Sequence, residues 1–262
     1  MRKSLVAHHA SAPLATAVCA VILVFAAGQA HAQFPFASLR DGQVIPAPAL
    51  AQLKTSSRRD AGRAPVPHTD PLQQVPDAKP GAGKPWVLYV GAEFCPYCAA
   101  LRWPLVLALM RFGSFTGLKA TRSSSTDVYP DTATFSFIGS TYHSRWLDLQ
   151  AVETADRQNH PLQKPDKFQM AQILRFDRAP YTNEPDSIPF LDLDGRWIAV
   201  GSPFNPELLH GMGWYDVAAR LESGNGPLWE AVLGEADLLT RQLCVLTHGQ
   251  PRTTCDLTAR KP

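Results

Sequence analysis

Cys95 and Cys98 lie three positions apart in the stretch WVLYVGAEFCPYCAALRWP, residues 86–104. Thiols at that spacing support three chemistries. They can exchange electrons as a dithiol and disulfide, supply half of a four-sulfur metal site, or form an inert bridge. The first requires a sulfur that ionises easily. A helix opening beside Cys95 would supply it, because its first amides and the positive end of its dipole favour thiolate over thiol. Free cysteine ionises near pH ~8.5, and such settings lower this to roughly 3.5–7.5. Cys95 is then the attacking sulfur and Cys98, one turn on and less exposed, the resolving one. Pro96 and Tyr97 between them remove one amide donor and add an aromatic rim. Glu93 either raises the thiol pKa by like-charge repulsion, helps shuttle protons, or stands as a solvated loop carboxylate.

Those roles need a rigid frame. Residues 86–92 are short, apolar and bounded by Pro85, which reads as a buried strand. From Pro96 to Phe112, Leu101, Leu105, Ala108, Leu109 and Phe112 recur at helical spacing, with Pro96 in a tolerated first-turn position and Pro104 inside the pattern. Strands are expected at 118–122, 134–138 and 145–152, the last two joined around Gly139-Ser140, and a helix at 166–176. Residues 188–193 and 197–200 flank Asp194-Gly195, a hairpin signal. Helices follow at 206–210, 217–221 and, behind Pro227, 227–246. Ile188-Pro189 stands at the mouth of the hairpin. A proline entering a central strand points to a cis turn or an edge position.

A strand leading into C-x-x-C at a helix start, with a proline loop ahead of a later hairpin, resembles the thioredoxin superfamily. The resemblance implies an α/β thioredoxin-like fold, a central mixed sheet flanked by helices. It implies a nucleophilic Cys95, a resolving Cys98, a cis-Pro189 packed against the sulfurs, and an Ile188 whose backbone pairs with a bound substrate strand. Pro104 is similar to the kink proline of the active-site helix, and CPYC resembles the dipeptide setting of glutaredoxins and some periplasmic disulfide isomerases. The fuller string YVGAEFCPYCAALRW looks like the exported family catalogued as domain of unknown function 929, a similarity expected to run from Trp86 to Cys255. The chain departs from thioredoxins in two ways. Residues 118–187 form an insertion expected to add strands or a cap around the site. No acid within WVLYV matches the buried carboxylate of thioredoxins, so proton transfer of that type is in doubt.

The chain is 262 residues long and 45% hydrophobic, enough for one sizeable core. Residues 1–32 read as a signal peptide, from Arg2 and Lys3 through an apolar run at 14–27 to Ala30-His31-Ala32, with cleavage after Ala32. An uncleaved membrane anchor is the alternative. Removing this segment also removes Cys19 and leaves four cysteines, for which spacing favours Cys95–Cys98 and Cys244–Cys255, the latter a structural disulfide. Residues 33–85 are proline-punctuated and read as a flexible N-terminal segment with a short helix near 48–56, or else as a docked arm. Residues 86–262 form the thioredoxin-like domain.

With 25 basic and 23 acidic residues and no long basic run, nothing points to nucleic acid. His143, His160, His210 and His248 share no metal-ligand spacing. A zinc site from all four cysteines is disfavoured, because ten residues separate the second pair. Asp192–Gly195 is explained by the hairpin without calcium. The expectation is an extracytoplasmic thiol–disulfide oxidoreductase without metal or organic cofactor. Its partners would be protein thiols or disulfides, or an electron-transfer protein, and a membrane only if residues 1–32 remain as an anchor. The alternative is a non-catalytic binding or scaffold module with an inert disulfide.

Overall fold

A computed structural model describes residues 36, 39–65, 72–79, 81 and 83–258. The signal peptide read over residues 1–32 lies outside the described residues. Among the described residues no helix is long and apolar enough to cross a membrane.

The elements, in chain order, are α1 (Ala47–Arg59), β1 (Gln73–Gln74), β2 (Trp86–Gly91), α2 (Pro96–Phe112), β3 (Ser114–Thr116), β4 (Lys119–Arg122), β5 (Ala133–Ser136), β6 (Thr141–His143), β7 (Asp148–Glu153), α3 (Lys167–Phe176), β8 (Phe190–Leu193), β9 (Trp197–Val200), a 3-10 turn (Pro206–Leu209), α4 (Trp214–Ser223), α5 (Pro227–Leu246) and α6 (Arg252–Thr258). The fold is mixed α/β. Its main sheet has the order β1-β9-β8-β2-β7, with β2 parallel to β7 and antiparallel to β8. β2 lies inside the sheet with cores on both its faces, and its sequence is apolar throughout rather than alternating.

The two faces of β2 carry different cores. Val87 and Tyr89 point into the larger one, with α2 and α5, while Leu88 and Val90 meet Val152, Phe176, Phe190 and Ile198 on the α3 side. α3 starts at a capping box in which Asp166 accepts from the Gln169 amide at 2.8 Å and Gln169 accepts from the Asp166 amide at 2.8 Å. The β8–β9 hairpin turns at Asp194 (φ 56°) and Gly195 (φ 66°), the left-handed pair that a tight hairpin requires.

α2 is buried along nearly its whole length rather than on one stripe. The sheet takes one side, and α1, α5 and the β4–β5 ribbon cover the others. Trp103 donates its indole N–H to Ala133 at 2.9 Å, and Thr134 donates to Ala99 at 2.9 Å, fixing that ribbon to the helix. Two arginines of α2 are buried with carboxylate partners. Arg111 bonds Asp237 at 2.6 Å, Thr240 at 2.9 Å and the Ser57 carbonyl at 2.8 Å, which ties α1 and α5 to α2.

Several expectations change. The proline-rich segment 33–85, read as flexible or else as a docked arm, is docked over its described residues. Ile45, Ala49, Leu53 and Leu72 are buried in the main core, and β1 pairs with β9. Within the 118–187 insertion, β6 was not anticipated; it pairs with β3 just ahead of that segment, and β4 with β5, forming two ribbons between α2 and β7. Short strands of this kind carry too few apolar alternations to show in a sequence. Helix 217–221 extends to Trp214–Ser223, and α6 follows the Gln250–Pro251 turn. Cys244 on α5 and Cys255 on α6 are joined by a disulfide with alpha carbons 5.6 Å apart. Their mutual bond takes both sulfurs out of any four-sulfur site with Cys95 and Cys98.

Asp192, in the middle of β8, is fully buried. One carboxylate oxygen accepts from the Gly195 amide at 2.7 Å and the other has no partner among the described residues. Burial pushes its pKa up to about 7. A carboxyl with a raised folded-state pKa favours the fold fully below its unfolded pKa of ~3.9, and that contribution is lost as pH rises through about 7. Asp192→Asn should therefore gain stability over the parent as pH rises from 4.5 to 8. Urea unfolding at the two pH values measures this, and a stability difference that does not move in the variant's favour between them would contradict it.

Candidate functional site

β2 ends at Gly91, and the chain turns through Ala92, Glu93 and Phe94 into Cys95, the N-cap of α2. The cap is sulfur: Cys95 Sγ accepts from the Cys98 amide at 3.1 Å. Pro96 takes the first helical position, where its missing N–H costs nothing. Cys95 and Cys98 are free thiols. Cys95 is 5% exposed and Cys98 is fully buried.

This placement separates the two thiols electrically. The hydrogen bond from the Cys98 thiol lowers the Cys95 pKa, aided by the amides of Cys98 and Tyr97 and by the charge of Arg102, against the opposing effect of burial. Burial raises the Cys98 pKa well above its ordinary value, and a thiolate at Cys95 raises it further. One sulfur is thus favoured as a thiolate while the other holds its proton.

Under the pair lies a buried ionic contact that the sequence reading missed. Arg102 donates through Nε to Glu153 at 3.0 Å, and through Nη2 to Glu153 at 2.6 Å and to the Ala92 carbonyl at 2.8 Å. Burial opposes the arginine's charge, yet Glu153 keeps its pKa raised, so it remains a cation. Burial pushes the Glu153 carboxyl up, and Arg102 pulls it back. Glu153 belongs to β7 and sits opposite Gly91 in the parallel register. A buried carboxylate therefore does lie beneath the cysteines, supplied by the neighbouring strand rather than by β2. Only the pairing of β2 with β7 reveals it. Tyr89 completes the cluster: the Arg102 guanidinium lies 5.6 Å from its ring centre, and its hydroxyl has no partner among the described residues. Gly91 has to be glycine. A Cβ there would fall 2.1 Å from the Tyr89 hydroxyl and 3.1 Å from Cys98 Sγ.

The remaining expected residues are placed as follows. The Ile188–Pro189 peptide is cis, and Pro189 is buried. The Ile188 carbonyl lies 4.0 Å from Cys95 Sγ, so the proline loop faces the cysteine pair. Tyr97 is 41% exposed and makes an edge contact with Tyr129, at the tip of the β4–β5 ribbon, with ring centres 6.1 Å apart. The ribbon tip is held to the cysteine loop by the Ser124 amide, which donates to the Phe94 carbonyl at 2.8 Å. The Glu93 amide donates to Ala155 at 2.9 Å, and the Glu93 charge adds to the upward push on Glu153. Cys244 and Cys255 are joined on α5 and α6 and take no part in this cluster.

Breaking the ion pair on one side should be costly, and replacing both partners much less so. Arg102→Met should destabilise the fold by about 3–5 kcal/mol. Adding Glu153→Gln should recover part of that loss. In this double variant the pH midpoint for iodoacetamide capture at Cys95 should still lie above the parent's, because the positive charge is gone. A midpoint at or below the parent's would show that Arg102 does not act on the sulfur.

Residues 78–181 match the model of a family described as Domain of unknown function (DUF929). The match takes in β2, both cysteines, α2, the two ribbons, β7 and α3. It ends short of Ile188–Pro189 and the disulfide, where the resemblance had been expected to run on to Cys255. No curated protein matches the chain. No solved structure matches it either.

Proposed function

We propose that this chain is a thiol–disulfide oxidoreductase of thioredoxin-like fold, acting outside the cytoplasm through Cys95 and Cys98. The observation that carries the reading is the N-cap at Cys95, where one sulfur takes a helix amide at 3.1 Å and its partner is buried one turn on. The element order supports the fold. A strand leads into the C-x-x-C helix, and a parallel strand, a helix, an antiparallel hairpin behind a cis-proline and a further helix follow. The mixed sheet, with β2 parallel to β7 and antiparallel to β8, agrees with the central mixed sheet that the resemblance implies.

In the reducing direction, the Cys95 thiolate attacks one sulfur of a substrate disulfide. The other substrate sulfur leaves with the electron pair and takes a proton. Cys98 then loses its proton and attacks Cys95 Sγ, releasing the second substrate thiol and leaving a Cys95–Cys98 disulfide. Two electrons pass to the substrate, and the two sulfurs store them, so no organic cofactor is called for. In the oxidising direction the same steps run backwards. Which direction prevails depends on potential, with 30 mV equal to about 1.4 kcal/mol for two electrons. Partners are protein thiols or disulfides, or an electron-transfer protein. Location outside the cytoplasm rests on residues 1–32 and on the Cys244–Cys255 bridge.

The low exposure of Cys95 favours a second reading, a binding or scaffold module whose thiols are inert. A redox titration separates the two. The protein is equilibrated across dithiothreitol or glutathione buffers, the Cys95–Cys98 couple is read by mass after thiol capture, and insulin reduction is assayed alongside. The parent should cycle and reduce insulin. Cys95→Ser should abolish both, and Cys98→Ser should accumulate mixed disulfides at Cys95. A couple that stays fixed at every poise would leave only the scaffold reading.

A further inference from the structure

A groove opens beside the cysteine pair on the α3 side, with a volume of about 490 Å³. Phe94, Met170, Ile173, Ile188 and Phe190 give it apolar walls. Two of these flank the attacking sulfur: Phe94 precedes Cys95 in the chain, and the Ile188 carbonyl lies 4.0 Å from Sγ. Met170, on α3, is left 39% exposed. The groove has room for more than one side chain, and apolar walls of this kind favour an occupant that is itself apolar.

Its charged lining is all of one sign. Asp177 and Asp186 both line it. Asp177 is only 7% exposed, and its Oδ1 has no hydrogen-bond partner among the described residues. Burial pushes the Asp177 carboxyl pKa up, and the nearby amides of Asp186 and Ser187 partly offset that push. No lysine or arginine among the described residues forms an ion pair with either carboxylate; the ion pairs found involve Asp41, Asp60, Asp131, Asp148, Glu153, Asp156, Glu222 and Asp237. The two carboxylates therefore leave the groove with uncompensated negative charge, which favours an occupant of opposite sign.

We propose that this groove receives the substrate. Its occupant is an extended polypeptide segment in which the reacting cysteine is accompanied by a bulky apolar residue and by a lysine or arginine that pairs with Asp177 and Asp186. This rests on the exchange reading above and adds the substrate class to it. The apolar side chain fills the space between α3 and the proline loop. The cation offsets the uncompensated negative charge that Asp177 and Asp186 bring to the groove. Substrate selection thereby lies in residues 170–190, outside the C-x-x-C motif.

The full chain carrying Cys98→Ser tests this. Its reduced form is mixed with short peptides, each holding one cysteine joined by a disulfide to 5-thio-2-nitrobenzoate. The Cys95 thiolate attacks the peptide sulfur, the bond to nitrobenzoate breaks, and the coloured thiolate leaves with the electron pair. The panel carries leucine or glycine beside the cysteine, and lysine or glutamate at each of the three positions on either side. At its best position, a leucine–lysine peptide should react about tenfold faster than its glutamate counterpart, the ratio of one charge-assisted hydrogen bond. Asp177→Asn should collapse that ratio, and Asp186→Asn should reduce it. Asp127→Asn, a partly exposed acid on the other side of Phe94, should not change it. Should Asp177→Asn fail to fold, Asp186→Asn and the parent's own ratio decide the matter. Equal rates for lysine and glutamate peptides, or for leucine and glycine peptides, would overturn the substrate class while leaving the exchange chemistry standing. A lysine preference that survives both groove variants would overturn the groove as its source. No release from any peptide, nor from the symmetrical nitrobenzoate disulfide, would remove this inference and the exchange reading together.

Discussion

A guanidinium held in the dry centre of the molecule, between the cysteine helix and the sheet, is the contact on which the site depends. Arg102 reaches from α2 to Glu153 on β7 and to the Ala92 carbonyl just past β2. One side chain thus fixes the start of α2 against two adjacent strands. Such a pair adds little net stability over apolar residues of equal size, because both charges had to leave water. Its consequence is geometric and electrical. The helix can move neither along nor away from the sheet without stranding a buried charge. The positive charge also lies close enough to both sulfurs to favour their ionised forms.

The asymmetry of the two thiols follows from where α2 begins. Cys95 sits at the cap and receives amides, whereas Cys98 sits inside the first turn, walled in by Gly91 and Tyr89. The same short stretch therefore gives one sulfur a stabilised negative charge and denies it to the other. Low exposure of Cys95 is part of that design. Amides and a buried cation act on it more strongly when little water competes. The groove lined by Phe94 and Ile188 lies next to this sulfur, whose nearest groove group is the Ile188 carbonyl at 4.0 Å.

Arg111 does for the periphery what Arg102 does for the centre. Through Asp237, Thr240 and Ser57 it binds α5 and α1 to the far end of α2. That is why a segment rich in proline and poor in aromatics is docked over its described residues. The ordering comes from a few buried side chains, Ile45, Ala49 and Leu53 among them, and from one polar network, rather than from the segment's own composition.

The sequence by itself determined the local features. Spacing of Cys95 and Cys98 ahead of an apolar helical run, Pro96 at its start, the Asp194-Gly195 turn, the apolar stretch of β2 and the Asp166–Gln169 cap are all properties of residues a few positions apart, and neighbours along the chain decide them. Ile188-Pro189 was singled out because a proline entering a strand conflicts with strand hydrogen bonding. Only the tertiary structure decided the rest. Glu153 lies fifty-one positions from Arg102, and the two meet because β7 pairs in parallel with β2. Arg102 and Arg111 read as polar breaks in an apolar helix until their partners are seen to arrive from other elements. The two-residue and three-residue strands β1, β3 and β6 have no period to detect, and pairing alone makes them strands. Asp177 and Asp186 became part of a groove because the loop after α3 folds back toward the cysteines. Such long-range encounters are set by the packing of whole elements, which no local pattern encodes.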